Sequence, residues 1–320
     1  MREGPGVSKD EPQKPPFLRF FQLYFRKFWK LIQLNLLFMI PALIVAAMVF
    51  FLYAGSFRVN FELSGNRVSM DLWKSYVAPI PIILIFPFFA GLAYVTRNYV
   101  REEHAFVFSD FKDAIKDNWK FFLLNGCICY VCYLILSLGM RFYYAMMSTN
   151  KIMTIPFGLS LLFAMLFIFA QFYIPVMAIT FELKFRDIYK NAFIFAILGL
   201  WRNFLLVILF AVTIFCMVFI SPIMMLLQLL LLIFIVCLMF STGMYTVNFV
   251  VYPMIEKYLL KPYLEKDEPK EEGEEASAEN TPKTGDTIDT MELPKPEYVY
   301  VNGRLIRRDE LEEEQVFSDE

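Results

Sequence analysis

The densest set of side chains able to do chemistry is Arg97, Arg101, Glu102, Glu103 and His104, with Asp110 shortly after it. Guanidinium groups, an imidazole and carboxylates so close together could hold a phosphate-bearing ligand or a partner protein through charge-assisted hydrogen bonds. They also suit a solvated helix end whose basic members lie near lipid headgroups. His104 is the chain's one histidine, so it has no second imidazole to join it in metal binding or catalysis. Five cysteines, Cys127, Cys129, Cys132, Cys216 and Cys237, all lie in apolar runs. Placed on a helix, the first three point at about 0°, 200° and 140° and do not converge as metal ligands would. No dinucleotide-binding glycine pattern, P-loop, H-E-x-x-H or nucleophile elbow occurs. The expectation is a protein without catalytic, cofactor-binding or metal-binding residues, and not an enzyme.

The elements that position this cluster are set by hydropathy. The chain has 320 residues, 58% of them hydrophobic and 18% aromatic, which places it outside ordinary soluble domains and among membrane proteins. The stretch 101–124, REEHAFVFSDFKDAIKDNWKFFLL, runs from an amphipathic segment into an uncharged one. Phe108, Phe111, Ile115, Trp119 and Phe122 share one helical face, and residues 121–140 carry no charge, about enough helix to cross a bilayer core of roughly 30 Å. This reads as an elbow on the membrane surface that then turns inward. Similar junctions end at Trp29 with Lys30 and at Trp201 with Arg202, the counterparts of Trp119 with Lys120. Tryptophan beside a basic residue is the signature of an interfacial anchor.

Uncharged runs then predict an all-α, polytopic bundle of six spans, at about residues 31–56, 75–97, 121–140, 155–181, 203–220 and 222–250. They form three hairpins, each preceded by an interfacial elbow, within a membrane domain of residues 17–262. The run 203–255 is uncharged throughout, too long for one span, and Ser221 with Pro222 marks the expected turn. Pro79, Pro81 and Pro87 predict an irregular entry to the second span. Residues 58–74 alternate apolar and polar around Gly65 and Asn66, the pattern of a small external β-hairpin. Residues 1–16 read as a flexible lead rather than a cleavable signal. Residues 263–320 read as an acidic tail with a possible hairpin at 298–306, around Asn302 and Gly303. Asn35, Asn125, Gln171, Gln228 and Asn248 are the polar residues of the spans, expected to bridge neighbouring helices.

Basic residues number five in 14–30, five in 97–120, four in 182–202 and four in 257–270, against three in 58–74 and two in 141–151. The positive-inside rule therefore puts both termini in the cytoplasm, with the 58–74 hairpin outside. Residues 265–320 carry a net −12 and the preceding body +10, so a basic membrane body holds an acidic tail.

The segments RFFQLYFRKFWKLIQLNLLF, GLAYVTRNYVREEHAFVFSDFKDAIKDNWKFF and YIPVMAITFELKFRDIYKNAFIFAILGLWRNF resemble the YesL-like family of bacterial integral membrane proteins. The resemblance covers about residues 17–260 and departs in the 58–74 insertion and the long acidic tail. It implies a bacterial inner-membrane protein of uncharacterised activity. Members are often encoded beside carbohydrate ABC importers and glycan-degrading enzymes, which implies an accessory role in carbohydrate uptake. The expected function is thus a non-enzymatic accessory or scaffold protein, with a small-solute transporter or channel as the alternative. Expected partners are the lipid bilayer and importer subunits, not nucleic acid.

Overall fold

The computed structural model describes residues 15–63, 66–220, 225–260, 298–301 and 304–307. Residues 1–14 of the N-terminal lead, the turn residues Gly65, Asn302 and Gly303, the turn at Ser221 and Pro222, and most of the acidic tail lie outside the described residues.

Helix α1 (Pro16–Arg26) starts with proline in its first turn, where a missing N–H costs nothing, and ends at Lys27, whose φ of −106° and ψ of 9° leave the helical region. Helix α2 (Phe28–Tyr53) follows. Strands β1 (Arg58–Leu63) and β2 (Asn66–Asp71) then pair antiparallel, from Arg58 with Asp71 to Leu63 with Asn66. Asn66 is therefore a strand residue and not half of the turn. Trp73–Val77 is wound wider than an α-helix and Ile80–Ile85 tighter, so the prolines give the irregular entry expected of them before α3 (Phe86–Val100).

Helix α4 (Val107–Met146) is one unbroken helix of 40 residues, about 60 Å long. This corrects the expected change of direction near residue 121: with neither glycine nor proline between Val107 and Asn125, nothing interrupts the backbone ladder, and the charged segment runs straight into the apolar one. Helix α5 (Thr154–Ala178) leads to α6 (Phe185–Leu198) and α7 (Leu200–Phe215), which meet at 88° across Gly199. Helices α8 (Met225–Cys237) and α9 (Met239–Ile255) meet at 64° across Leu238, where a continuous helix over 222–250 was expected. In the tail, β3 (Tyr298–Val301) and β4 (Arg304–Arg307) pair antiparallel.

Four helical stretches are long and apolar enough to cross a membrane, and up to six if each bent pair is one span. Phe50, Phe51, Ile155 and Ile214 are more than half exposed, a distribution suited to lipid and costly in water. The chain is an all-α multi-pass membrane protein. Its central helix is α3, buried at almost every position from Ala90 to Val100 and touched by α2, α4, α5 and α9. Small residues permit this: a Cβ on Gly91 would lie 2.4 Å from the Phe111 ring of α4, so only glycine lets the two helices approach so closely.

Candidate functional site

The α3–α4 corner gathers the cluster, and Arg97, Arg101, Glu102, Glu103 and Asp110 each find a hydrogen-bonding partner within the chain. Arg97 is 1% exposed, so the expected surface role does not hold for it. Its Nη1 donates to the Ile179 carbonyl at 2.8 Å and to Thr180 Oγ1 at 3.2 Å, at the end of α5. Its Nε and Nη2 reach Asn98 Oδ1, and its plane lies 4.8 Å from the Tyr94 ring centroid. A guanidinium placed there satisfies an orphan carbonyl and the negative end of the helix dipole together, which explains how a charge is tolerated in the interior.

Glu102 has φ of 63°, the left-handed conformation that usually falls to glycine at a helix end. The Glu103 N–H bonds the Asn98 carbonyl at 2.8 Å and the Glu102 N–H that of Tyr99 at 3.2 Å, so α3 closes with a Schellman turn around a glutamate. The strained side chain has a use: its carboxylate accepts from Arg26 at 2.8 Å and Arg19 at 3.3 Å, tying α1 to the corner. The Arg26 hydrogen bond holds its pKa below the ordinary glutamate value despite some desolvation. Arg101 pairs with Glu103 at 2.7 Å and lies over the Tyr252 ring. Asp110 accepts from the Phe106 N–H at 2.9 Å, anchoring the start of α4. His104 is exposed beside Phe106. The corner therefore is a clasp joining α1, α3, α4, α5 and α9. The other expected anchors remain on the outside, with Trp29, Trp119 and Trp201 at 75%, 45% and 69% exposure.

Buried amides hold the helix breaks. Asn35 of α2 is fully buried, and its Nδ2 donates to the Ile235 and Val236 carbonyls at 3.2 and 2.7 Å. Its Oδ1 accepts from the Phe240 and Ser241 N–H groups at 2.8 and 3.0 Å. One side chain thus replaces the ladder hydrogen bonds lost at Leu238, which is how a kink survives where water is scarce. Asn203 does part of this at Gly199, donating to the one carbonyl of Ala196 while its oxygen accepts from the Tyr173 hydroxyl. Asn125 bridges Gln171 of α5 and Tyr189 of α6. Asn248 binds the Ala93 carbonyl and Thr96. Gln228 is exposed on α8. Asn203 and the buried setting of Arg97 were missed from sequence. The only sequence signal for Asn203 was its place beside the Trp201–Arg202 pair, since asparagine also follows the matching pairs in WKLIQLN and WKFFLLN, there by six residues and here by two.

Between α3, α4, α5, α7 and α9 lies a cavity of about 490 Å³. Its walls are aromatic and aliphatic, with polar atoms from Asn125, Gln171, Thr213 and Cys129 and, among the described residues, no carboxylate, ammonium, guanidinium or imidazole group. Of the three clustered cysteines, Cys127 is exposed and only Cys129 faces this space.

A family described as "Protein of unknown function, DUF624" matches residues 31–140, the family to which YesL belongs. The matched part of the chain contains most of α2, the β1–β2 hairpin, α3 and most of α4, and with them the α3–α4 corner. No curated protein and no solved structure matches the chain.

Proposed function

We propose that this protein is a non-enzymatic accessory or scaffold protein of the bacterial cytoplasmic membrane, working beside a carbohydrate ABC importer. The observation that carries the reading is that the charged groups of the corner are spent on the chain itself, while no described residue gives the cavity a charged wall. Ion-coupled transport places ionisable groups along its path, and Arg97 is held by the Ile179 carbonyl and the Thr180 hydroxyl at the end of α5 instead. What then remains for function is surface: the exposed face of α4 and the α1–α3 clasp. The link to sugar import rests on the YesL-like resemblance. In this reading the chain crosses the membrane six times, as three hairpins with both termini and the corner in the cytoplasm. Helices α1 and α6 lie along the inner leaflet, and Trp29, Lys30, Trp119, Lys120, Trp201 and Arg202 anchor there. Affinity purification from membranes in mild detergent tests it: importer subunits are expected to co-purify, and their consistent absence would overturn the partnership.

The alternative, a small-solute transporter or channel, is favoured by one feature, the two broken helices beside a cavity. Its apolar walls argue against a sugar as the solute, since hydroxyl groups would lose water without gaining partners there.

A further inference from the structure

We propose that the junction of α1 and α2 binds one anionic phospholipid, with its phosphate between Lys27 and Lys30 and its hydrocarbon against an exposed aromatic row on α1. This rests on the interfacial placement of Trp29 and Lys30 proposed above and is independent of any importer.

Helix α1 presents two unlike surfaces. Its inner face is fixed: Leu23 is buried, the Phe20 ring centroid lies 5.1 Å from those of Tyr245 and Phe249, and the Tyr24 and Thr242 hydroxyls are 2.9 Å apart. Its outer face is a row of exposed rings at every fourth residue, Phe17, Phe21 and Phe25, with successive centroids 4.9 and 6.2 Å apart. Exposed Trp29 follows four positions further on. Such a row is costly in water and is covered by hydrocarbon. Arg26 and Lys30 come one position after Phe25 and Trp29, so cations border the rings.

The charges beside the row do not balance. Arg26 and Arg19 both take the Glu102 carboxylate, at 2.8 and 3.3 Å, and neither Lys27 nor Lys30 has an ion-pair partner among the described residues. Lys27 Nζ lies 5.5 Å from the Tyr99 ring centroid. Burial lowers its pKa from the ordinary lysine value, and the nearby Lys30 and Arg26 lower it further, with Glu102 opposing them. Four cations therefore stand against one carboxylate, and a phosphate between the two lysines relieves their repulsion. The rings and the charge excess together select the occupant. A free phosphate or an acidic peptide would pair with the lysines and leave the rings bare. A zwitterionic lipid would cover the rings but bring a cation of its own to a surface already in excess.

The test is native mass spectrometry of the full chain released from nanodiscs of mixed dioleoylphosphatidylglycerol and dioleoylphosphatidylcholine, with folding of every variant checked by thermal unfolding. One phosphatidylglycerol is expected to stay bound in preference to phosphatidylcholine. Lys27→Gln with Lys30→Gln is expected to weaken that preference about five- to thirtyfold, and Lys27→Arg with Lys30→Arg to keep it. Should the glutamine pair not fold, Lys30→Gln alone carries the test, with about a fivefold loss expected. Phe21→Ala with Phe25→Ala is expected to weaken retention of the lipid with the lysines intact. Lys112→Gln with Lys116→Gln, the same charge change on an exposed face of α4, is expected to leave the preference unchanged. An equal loss in that α4 pair would show attraction by net charge alone and overturn the site, as would an unchanged preference in the junction variants. Equal retention of the two lipids would overturn the requirement for an anion, and displacement by inorganic phosphate would overturn the part given to the rings. Carbodiimide cross-links from Lys27 or Lys30 to carboxylates of residues 265–320, in place of bound lipid, would assign the cations to the chain's own tail and overturn the proposal. Quenching of Trp29 by brominated phosphatidylcholine, read as the difference from Trp29→Phe, reports the interfacial placement whatever the headgroup. Its absence would overturn that placement, whereas quenching without lipid preference would overturn the lipid site alone.

Discussion

At the scale of single residues, the most consequential side chains do not contact a ligand; they repair backbone. Asn35 makes four hydrogen bonds across the Leu238 break, so Asn35→Ala leaves two carbonyls and two N–H groups to find other partners inside the bundle. A loss of about 2–4 kcal/mol is expected, read as a fall in the thermal midpoint in detergent, whereas Gln228→Ala on the exposed face of α8 should stay within about 0.5 kcal/mol. Little of this was legible. The sequence around Leu238 has neither proline nor an adjacent glycine, so the break is written in a residue some 200 positions earlier. Arg97 misled for a similar reason: sequence shows a charge near a helix end, and only tertiary packing shows α5 ending against it. Glu102 gives a pH test. Its lowered pKa means that its contribution is fully present above the unfolded glutamate value of about 4.3 and is lost as pH falls through the lower folded value. Hydrogen exchange in α1 should rise in that acid window, and Glu102→Gln should show the faster exchange already at neutral pH. Each of these ion pairs is about half exposed, so the loosening should stay local to α1.

At the scale of elements, breaks depend on space as much as on hydrogen bonds. Gly199 has an ordinary φ of −92°, so conformation does not demand glycine there. A Cβ would instead lie 2.3 Å from the Tyr173 hydroxyl and 3.2 Å from Met254 Sδ, and Gly199→Ala is expected to lower the thermal midpoint by displacing the Tyr173–Asn203 hydrogen bond. Gly158 in α5 has nothing within 4 Å of its added Cβ, so Gly158→Ala should be neutral or stabilise by up to about 1 kcal/mol. The β1–β2 hairpin was legible because its alternation is local. Its docking was not: Asp71 accepts from Ser56 and from the Phe57 and Lys74 N–H groups, and Trp73 Nε1 bonds the Leu52 carbonyl. The central stretch shows the opposite error, since a change from charged to apolar composition marks where a helix enters lipid without requiring the helix to bend there.

At the scale of the whole molecule, one division organises the chain. Aromatic and basic residues gather at the end where α1, the α3–α4 corner and the end of α5 meet, the hairpin sits at the other end of α2 and α3, and apolar surface covers what lies between. The proposed topology puts the first end in the cytoplasm and the hairpin outside. Replacing the five native cysteines and introducing Asn60→Cys or Lys112→Cys, both at exposed positions, allows each end to be probed with a membrane-impermeant maleimide in intact cells. Asn60→Cys is expected to react from outside and Lys112→Cys only after permeabilisation. Reaction of both from the same side would contradict the topology and, with it, the cytoplasmic placement of the corner.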